Sequence, residues 1–124
     1  MRLVLMFVLL ISFVSADIAQ SDEVISQREM NEQAKKTFEK TNDDLKAIYD
    51  ELNKALDVSS KNKLATVEKA WIKYRDLHCE AATHYYRQGS AFYLMKYSCL
   101  KEITAQRIDA LRAAYQEHLQ MNKR

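Results

Sequence analysis

The chain has 124 residues, no Pro, one Gly, two Cys, 29% charged residues and a formal net charge of +2. That length supports one domain, and the near absence of Gly and Pro excludes an all-β sandwich or barrel, which needs a tight turn about every 8–12 residues. A Gly-rich phosphate loop cannot be built from one Gly, so long helices with few connections remain and the composition selects an all-α fold.

The N-terminus reads as a targeting segment. Met1-Arg2 is a short positive start, Leu3 to Val14 is apolar except for Ser12, and Val14, Ser15 and Ala16 precede the polar Asp17. This pattern predicts a secretory signal peptide over residues 1–16, cleaved after Ala16. The apolar run is shorter than the roughly 20 residues a spanning helix needs. A lipoprotein would carry Cys at the position Asp17 holds, so a soluble periplasmic or secreted protein is expected, with no membrane attachment after cleavage. Removing 16 residues from 124 leaves a single domain of 108, residues 17–124, and losing Arg2 takes the net charge from +2 to +1. A near-neutral chain lacks the basic face that nucleic acid requires.

Residues 17–25 form a polar lead. Ser26-Gln27-Arg28-Glu29 fits a capping box, in which Ser26 caps the N3 amide and Glu29 reaches back. Met30, Ala34, Phe38, Leu45, Ile48, Tyr49, Leu52 and Leu56 follow at helical spacing, with Thr41 on the same stripe. The reading is one helix over about 27–57. Asp57 to Asn62 holds the Ser/Asn/Asp cluster of a loop. A second stripe of Leu64, Val67, Trp71, Tyr74, His78 and Ala82 predicts a helix over about 61–85. Gly89 then offers the left-handed residue a helix C-terminus favours. A third stripe of Phe92, Met95, Cys99, Ile103, Ala110, Leu111, Ala114 and Tyr115, with Leu119 beyond, predicts a helix over about 91–120. Three long amphipathic helices with short loops pack as an antiparallel bundle.

The two cysteines lie ten residues either side of Gly89. A helical hairpin turning at Gly89 brings Cys79 and Cys99 level, and an oxidising compartment favours their disulfide. Such a bridge would stabilise by about 3 kcal/mol in the chain-entropy view. A pair of buried free thiols is the alternative.

Other chemistry is sparse. Glu80 and His84, four apart beside Cys79, could supply metal ligands, but a site needs three or four and a disulfide removes the thiol; no metal and no cofactor is expected. His78 reads as a hydrogen-bonded core residue and His118 as exposed. The acidic group Asp43, Asp44, Asp50 and Glu51 reads as a solvated face. No nucleophile–base spacing appears, and short loops offer little cleft, so a binding protein is expected in preference to an enzyme. The hairpin tip stands out. His84, Tyr85, Tyr86, Arg87, Phe92, Tyr93 and Tyr97 crowd one end, and Tyr and Arg are enriched in binding hot spots. Some of these rings would cap the core. Tyr85, Tyr86, Arg87, Ser90 and Tyr93 are the candidate partner-binding residues.

Gln27-Arg28-Glu29-Met30-Asn31 with Ala34, and Leu45 with Tyr49 and Leu52, resemble the opening of the LprI-type lysozyme-inhibitor N-terminal domain. The block Ala70-Trp71-Ile72-Lys73-Tyr74-Arg75-Asp76 followed by Cys79 is the more specific part. Gly89-Ser90, Cys99-Leu100 and Thr104 with Arg107 and Leu111 continue it, so the resemblance spans about residues 26–115. It implies a small, exported, helical, disulfide-bridged protein, one type of which inhibits lysozyme. The chain departs from the pattern at Gln33, where the family usually has Cys paired to another near the N-terminus, and in having one Gly at the hairpin where the family often has two.

Trp71, Tyr74, Arg75, Asp76 and Arg107 form the structural motif of this block. Charges beside Trp71 and Cys79 persist when paired, so Asp76 is expected to pair with Arg107 or Arg75 and lock the second helix to the third. The leading function is occlusion of a lysozyme or another cell-wall hydrolase by the tip around Tyr86–Tyr93. The alternative is an interaction or regulatory module of the cell envelope with no hydrolase target. A small-molecule site would require a sizeable pocket lined by convergent polar groups.

Overall fold

The computed structural model describes residues 25–121, so the signal peptide expected at 1–16 and all of the expected polar lead at 17–25 except Ile25 lie outside the described residues. Helix α1 runs Gln27–Ala55, α2 Val58–Thr83, α3 Phe92–Ala114 and the short α4 Gln116–Met121; a 3-10 turn at His84–Tyr86 follows α2. Every described element is helical.

The capping box forms as the sequence dictates. The Glu29 amide donates to Ser26 Oγ at 3.2 Å, and the Ser26 amide donates to Glu29 Oε2 at 2.8 Å. The Ser26 hydroxyl donates to the same carboxylate oxygen at 2.7 Å. The Ser26 hydrogen bonds hold the Glu29 carboxyl below its usual range.

The loop expected at 57–62 is only two residues long. Leu56 turns to extended backbone, and Asp57 caps α2 by accepting from the Ser60 amide at 2.9 Å. An Asp that satisfies an orphan amide needs no further loop, so Ser59 to Asn62 join the helix. The bond from the Ser60 amide lowers the Asp57 carboxyl.

At the other end α2 stops at Thr83, before Gly89. No described residue has a positive φ, so Gly89 is not a left-handed cap. A short hydrogen-bonded turn makes the reversal instead: the Gly89 amide donates to the Tyr86 carbonyl and the Phe92 amide to the Gly89 carbonyl. The third helix breaks at Tyr115, whose φ of −118° and ψ of 24° leave helical geometry. The break separates α3 from α4 and lets Leu119 and Tyr115 join the aliphatic cluster.

Cys79–Cys99 is a disulfide with Cα atoms 5.7 Å apart. That bond and the contact from Arg75 to Thr104 run α2 antiparallel to α3. Asn31 meets Leu94 and Tyr49 meets Arg107, so α1 and α3 run parallel. The α1–α3 contact is the most extensive.

The aliphatic core gathers at the end away from the hairpin tip. Leu45, Ile48, Tyr49, Leu52 and Leu56 from α1 and its end meet Leu64, Ile108, Leu111 and Leu119, with Trp71 and Tyr115 against them. In α1 the predicted stripe and the buried one coincide over this half. In α2 they do not. The buried residues are Leu64, Arg75, Cys79 and Thr83, while Val67, Tyr74, His78 and Ala82 are exposed. His78 instead lies beside the Tyr74 ring at 5.6 Å. In α3 the buried row is Leu100, Thr104, Ile108 and Leu111, one position on from the predicted Cys99 and Ile103.

Candidate functional site

The tip is built by two hydrogen-bonded connections from α1. Ala91, at the start of α3, has no capping side chain. Asn31 supplies the cap from α1: its Oδ1 accepts from the Leu94 amide at 3.1 Å, and its Nδ2 donates to the Ser90 carbonyl at 3.0 Å. Gln27 Nε2 donates to the same Oδ1 at 2.9 Å. Ser90 is thus held through its backbone. Asn31 lies in the helix-opening motif of the sequence, but its pairing 59 residues away has no local signal.

The tip rings fall into two sets. Tyr85 and Tyr86 meet edge to face at 5.5 Å, with Tyr85 89% exposed. Phe92, Tyr93, Tyr97 and Phe38 form a ladder leading inward, with centroid spacings of 5.3, 6.3 and 6.0 Å. Tyr93 is its exposed member, and Phe38 is the half-buried end on α1. Arg87 Nη1 donates to the His84 carbonyl at 3.2 Å and stays exposed.

Below the ladder sits Arg75, only 7% exposed. Its Nη1 donates to Asn42 on α1 at 3.0 Å and to Thr104 on α3 at 3.4 Å, and its Nε donates to Asp76 Oδ1 at 2.9 Å. The guanidinium carbon lies 5.4 Å from the Phe38 ring centre and 5.3 Å from that of Trp71. One side chain therefore bonds all three long helices, its charge met by a carboxylate and two aromatic rings. Asp76 pairs with the neighbouring Arg75 and not with Arg107, and its side chain is 56% exposed. The link between helices is made by Arg75, so the lock expected of Asp76 belongs to its neighbour. Arg107 lies 5.7 Å from the Trp71 ring centre and donates from Nε to Tyr49 OH at 3.3 Å. Burial raises the Tyr49 phenol above its usual range, with the Arg107 bond opposing. Burial also raises the Glu68 carboxyl, with the charge of Arg107 opposing.

The remaining predicted features are quickly placed. Cys79 is bonded to Cys99, so no thiol is free beside Glu80 and His84. Among the described residues no group of three His, Cys, Asp or Glu is placed to hold a metal. His118 is half-buried at the edge of Tyr115, not exposed. Asp43 and Asp44 pair with Lys46 and Lys40 on an exposed face. Gln33, at the family's Cys position, is exposed and borders an open groove of about 450 Å³ between α1 and α3. A second groove of about 450 Å³ lies beside Arg75 and the ladder, rimmed by Asp76 and Glu80 on α2 and Lys96 on α3. Its size falls in the range of ligand pockets, but Arg75 and Asp76 there are already paired with each other. No described helix is long and apolar enough to cross a membrane.

The described chain is thus a disulfide-stapled helical protein with tyrosines exposed on its hairpin. The family model described as lysozyme inhibitor LprI matches residues 18–111, most of the chain, and the protein belongs to that family. No curated protein and no solved structure matches the chain.

Proposed function

We propose that the protein is an exported inhibitor that binds a lysozyme or a related cell-wall hydrolase and blocks its cleft with the hairpin tip. The observation that carries this reading is the tip itself. Tyr85, Tyr86, Arg87 and Tyr93 are exposed together on a turn that Asn31 and the Cys79–Cys99 bond hold in place. Fixed aromatic side chains lose little conformational freedom on binding, and Tyr and Arg are the residues that most often dominate interfaces. Membership of the lysozyme inhibitor family supplies the class of target. Inhibition by occlusion requires no reacting group on the inhibitor, so the tip needs only shape and polar contacts, with Arg87 and Ser90 in the latter role.

The test is a cell-wall lysis assay with the oxidised chain beginning at Asp17. The expected result is slowed lysis by at least one lysozyme, weakened about tenfold or more by the double variant Tyr85→Ala, Tyr93→Ala, as expected for hot-spot truncation. Full lysis at micromolar excess across several lysozymes would overturn the reading. A pull-down that recovers an envelope protein without hydrolase activity would favour the interaction-module alternative. Intact mass of the exported protein tests cleavage after Ala16.

A further inference from the structure

The face of α2 that turns away from Arg75 and Cys79 is apolar as well. Val67, Ala70, Tyr74, Leu77, Ala81 and His84 follow one another at alternating steps of three and four. All six are exposed, and the three large apolar ones, Val67, Tyr74 and Leu77, are 50%, 55% and 54% exposed. From Val67 to Ala81 the stripe runs about 20 Å along the helix axis. Three-four spacing is the pattern with which one helix seats against another in a coiled-coil seam. None of these side chains belongs to the aliphatic cluster.

The charges beside the stripe indicate the occupant. Lys73 and Glu80 are seven residues apart, on one row flanking the stripe, and both are exposed. Neither forms an ion pair among the described residues. Two such helices laid antiparallel about a two-fold axis place Tyr74 of one copy on Leu77 of the other and Ala70 on Ala81. The same register brings Lys73 of each copy against Glu80 of the other. A parallel arrangement brings Lys73 against His78 and leaves Glu80 without a cation.

We propose that a second copy of this chain covers this face, forming an antiparallel two-fold dimer through α2. The paired Ala residues permit close approach of the two helices, while Tyr74 and Leu77 provide the central apolar contact. One helix per copy gives an interface smaller than the roughly 800 Å² per partner of a standard stable complex, so the dimer is reversible. The inference does not depend on the inhibitory reading, since the seam is argued from α2 residues, and Tyr85, Tyr86, Arg87 and Tyr93 are not part of the stripe.

Sedimentation equilibrium of the oxidised chain from Asp17, over concentrations on the order of 1 µM to 1 mM, tests it in the range where small interfaces associate. The expected result is a mass that rises from monomer toward dimer. Lys73→Glu and Glu80→Lys should each weaken self-association about tenfold or more, because each sets like charges against one another. The two single variants, mixed, should form a heterodimer, and the double variant that exchanges both charges should regain wild-type association. Leu77→Glu should remain monomeric with unchanged circular dichroism. A wild-type chain that is monomeric throughout overturns the proposal, even if this face then binds another protein. So does self-association that is indifferent to Lys73 and Glu80, or single variants that fail to pair on mixing.

Discussion

The two ends of this molecule are held by different physics. Away from the tip, Leu45, Ile48, Leu52, Leu64, Ile108 and Leu111 bury aliphatic surface against one another. Toward the tip the cross-links are the Cys79–Cys99 bond, the Arg75 guanidinium between Phe38 and Trp71, and Asn31 at the start of α3. Aliphatic burial stabilises in proportion to the area hidden from water. An end whose rings are exposed does not use it fully. Covalent and polar links fix geometry with little buried area, which leaves Tyr85 and Tyr93 outside.

Substitutions can test this division. The largest effect is expected at the aliphatic end, where Leu52 is fully buried. Leu52→Ala should lower unfolding free energy by about 2–5 kcal/mol, measured by urea denaturation. Replacing both cysteines by Ser should cost about 2–4 kcal/mol. Hydrogen exchange should show the loss of protection concentrated between Thr83 and Cys99, with the amides around Leu52 affected only through global stability. Uniform loss would mean that the two ends are one cooperative unit. Arg75→Ala should cost about 2 kcal/mol through lost packing and hydrogen bonds, whereas Asp76→Ala should cost less than about 1 kcal/mol because its side chain is more than half exposed. Equal costs would return the locking role to Asp76.

The smallest of these effects is a pH dependence at the aliphatic end. The Asp57 carboxyl is lowered in the folded chain by the bonds from Ser60. Its cap therefore contributes fully above the ordinary carboxylate range and is lost as pH falls through the lowered value. Glu68 acts in the opposite sense, since its raised carboxyl favours the folded chain as it takes up a proton. Asp57→Asn keeps a cap that does not titrate. Its melting temperature should match the parent near pH 7 and fall less between about pH 5 and 3. An identical acid limb in both proteins would remove Asp57 from the account.

Much of α1 was legible in the sequence, because its apolar residues form one stripe that a capping box opens and Leu56 closes. α2 is harder to read because it carries two stripes of the same period. Leu64 is buried as its stripe predicts. Val67, Tyr74, His78 and Ala82 look more like a core than Arg75, Cys79 and Thr83, yet the second set is buried. Hydrophobic spacing cannot choose between two faces when a guanidinium occupies the inner one. The disulfide could have chosen. Cys79 must face Cys99, and Arg75 and Thr83, four residues before and after it, share its face. The break at Tyr115 has no comparable signal, for no Gly or Pro marks it. The exposed tip was readable as a cluster of Tyr and Arg, whereas its support by Asn31 depends on a contact distant in sequence.

Gly89 adopts an ordinary backbone conformation, and a Cβ placed there would meet only the Tyr86 carbonyl oxygen, at 3.5 Å. Gly89→Ala should therefore change stability by less than about 1 kcal/mol, in the stabilising direction if the unfolded chain loses freedom. Thermal melting checks this. The hairpin that presents the aromatic residues thus has no position at which its backbone demands glycine. The turn residue can therefore be exchanged without a steric or backbone penalty, which separates the identity of the hairpin's residues from the path of its backbone.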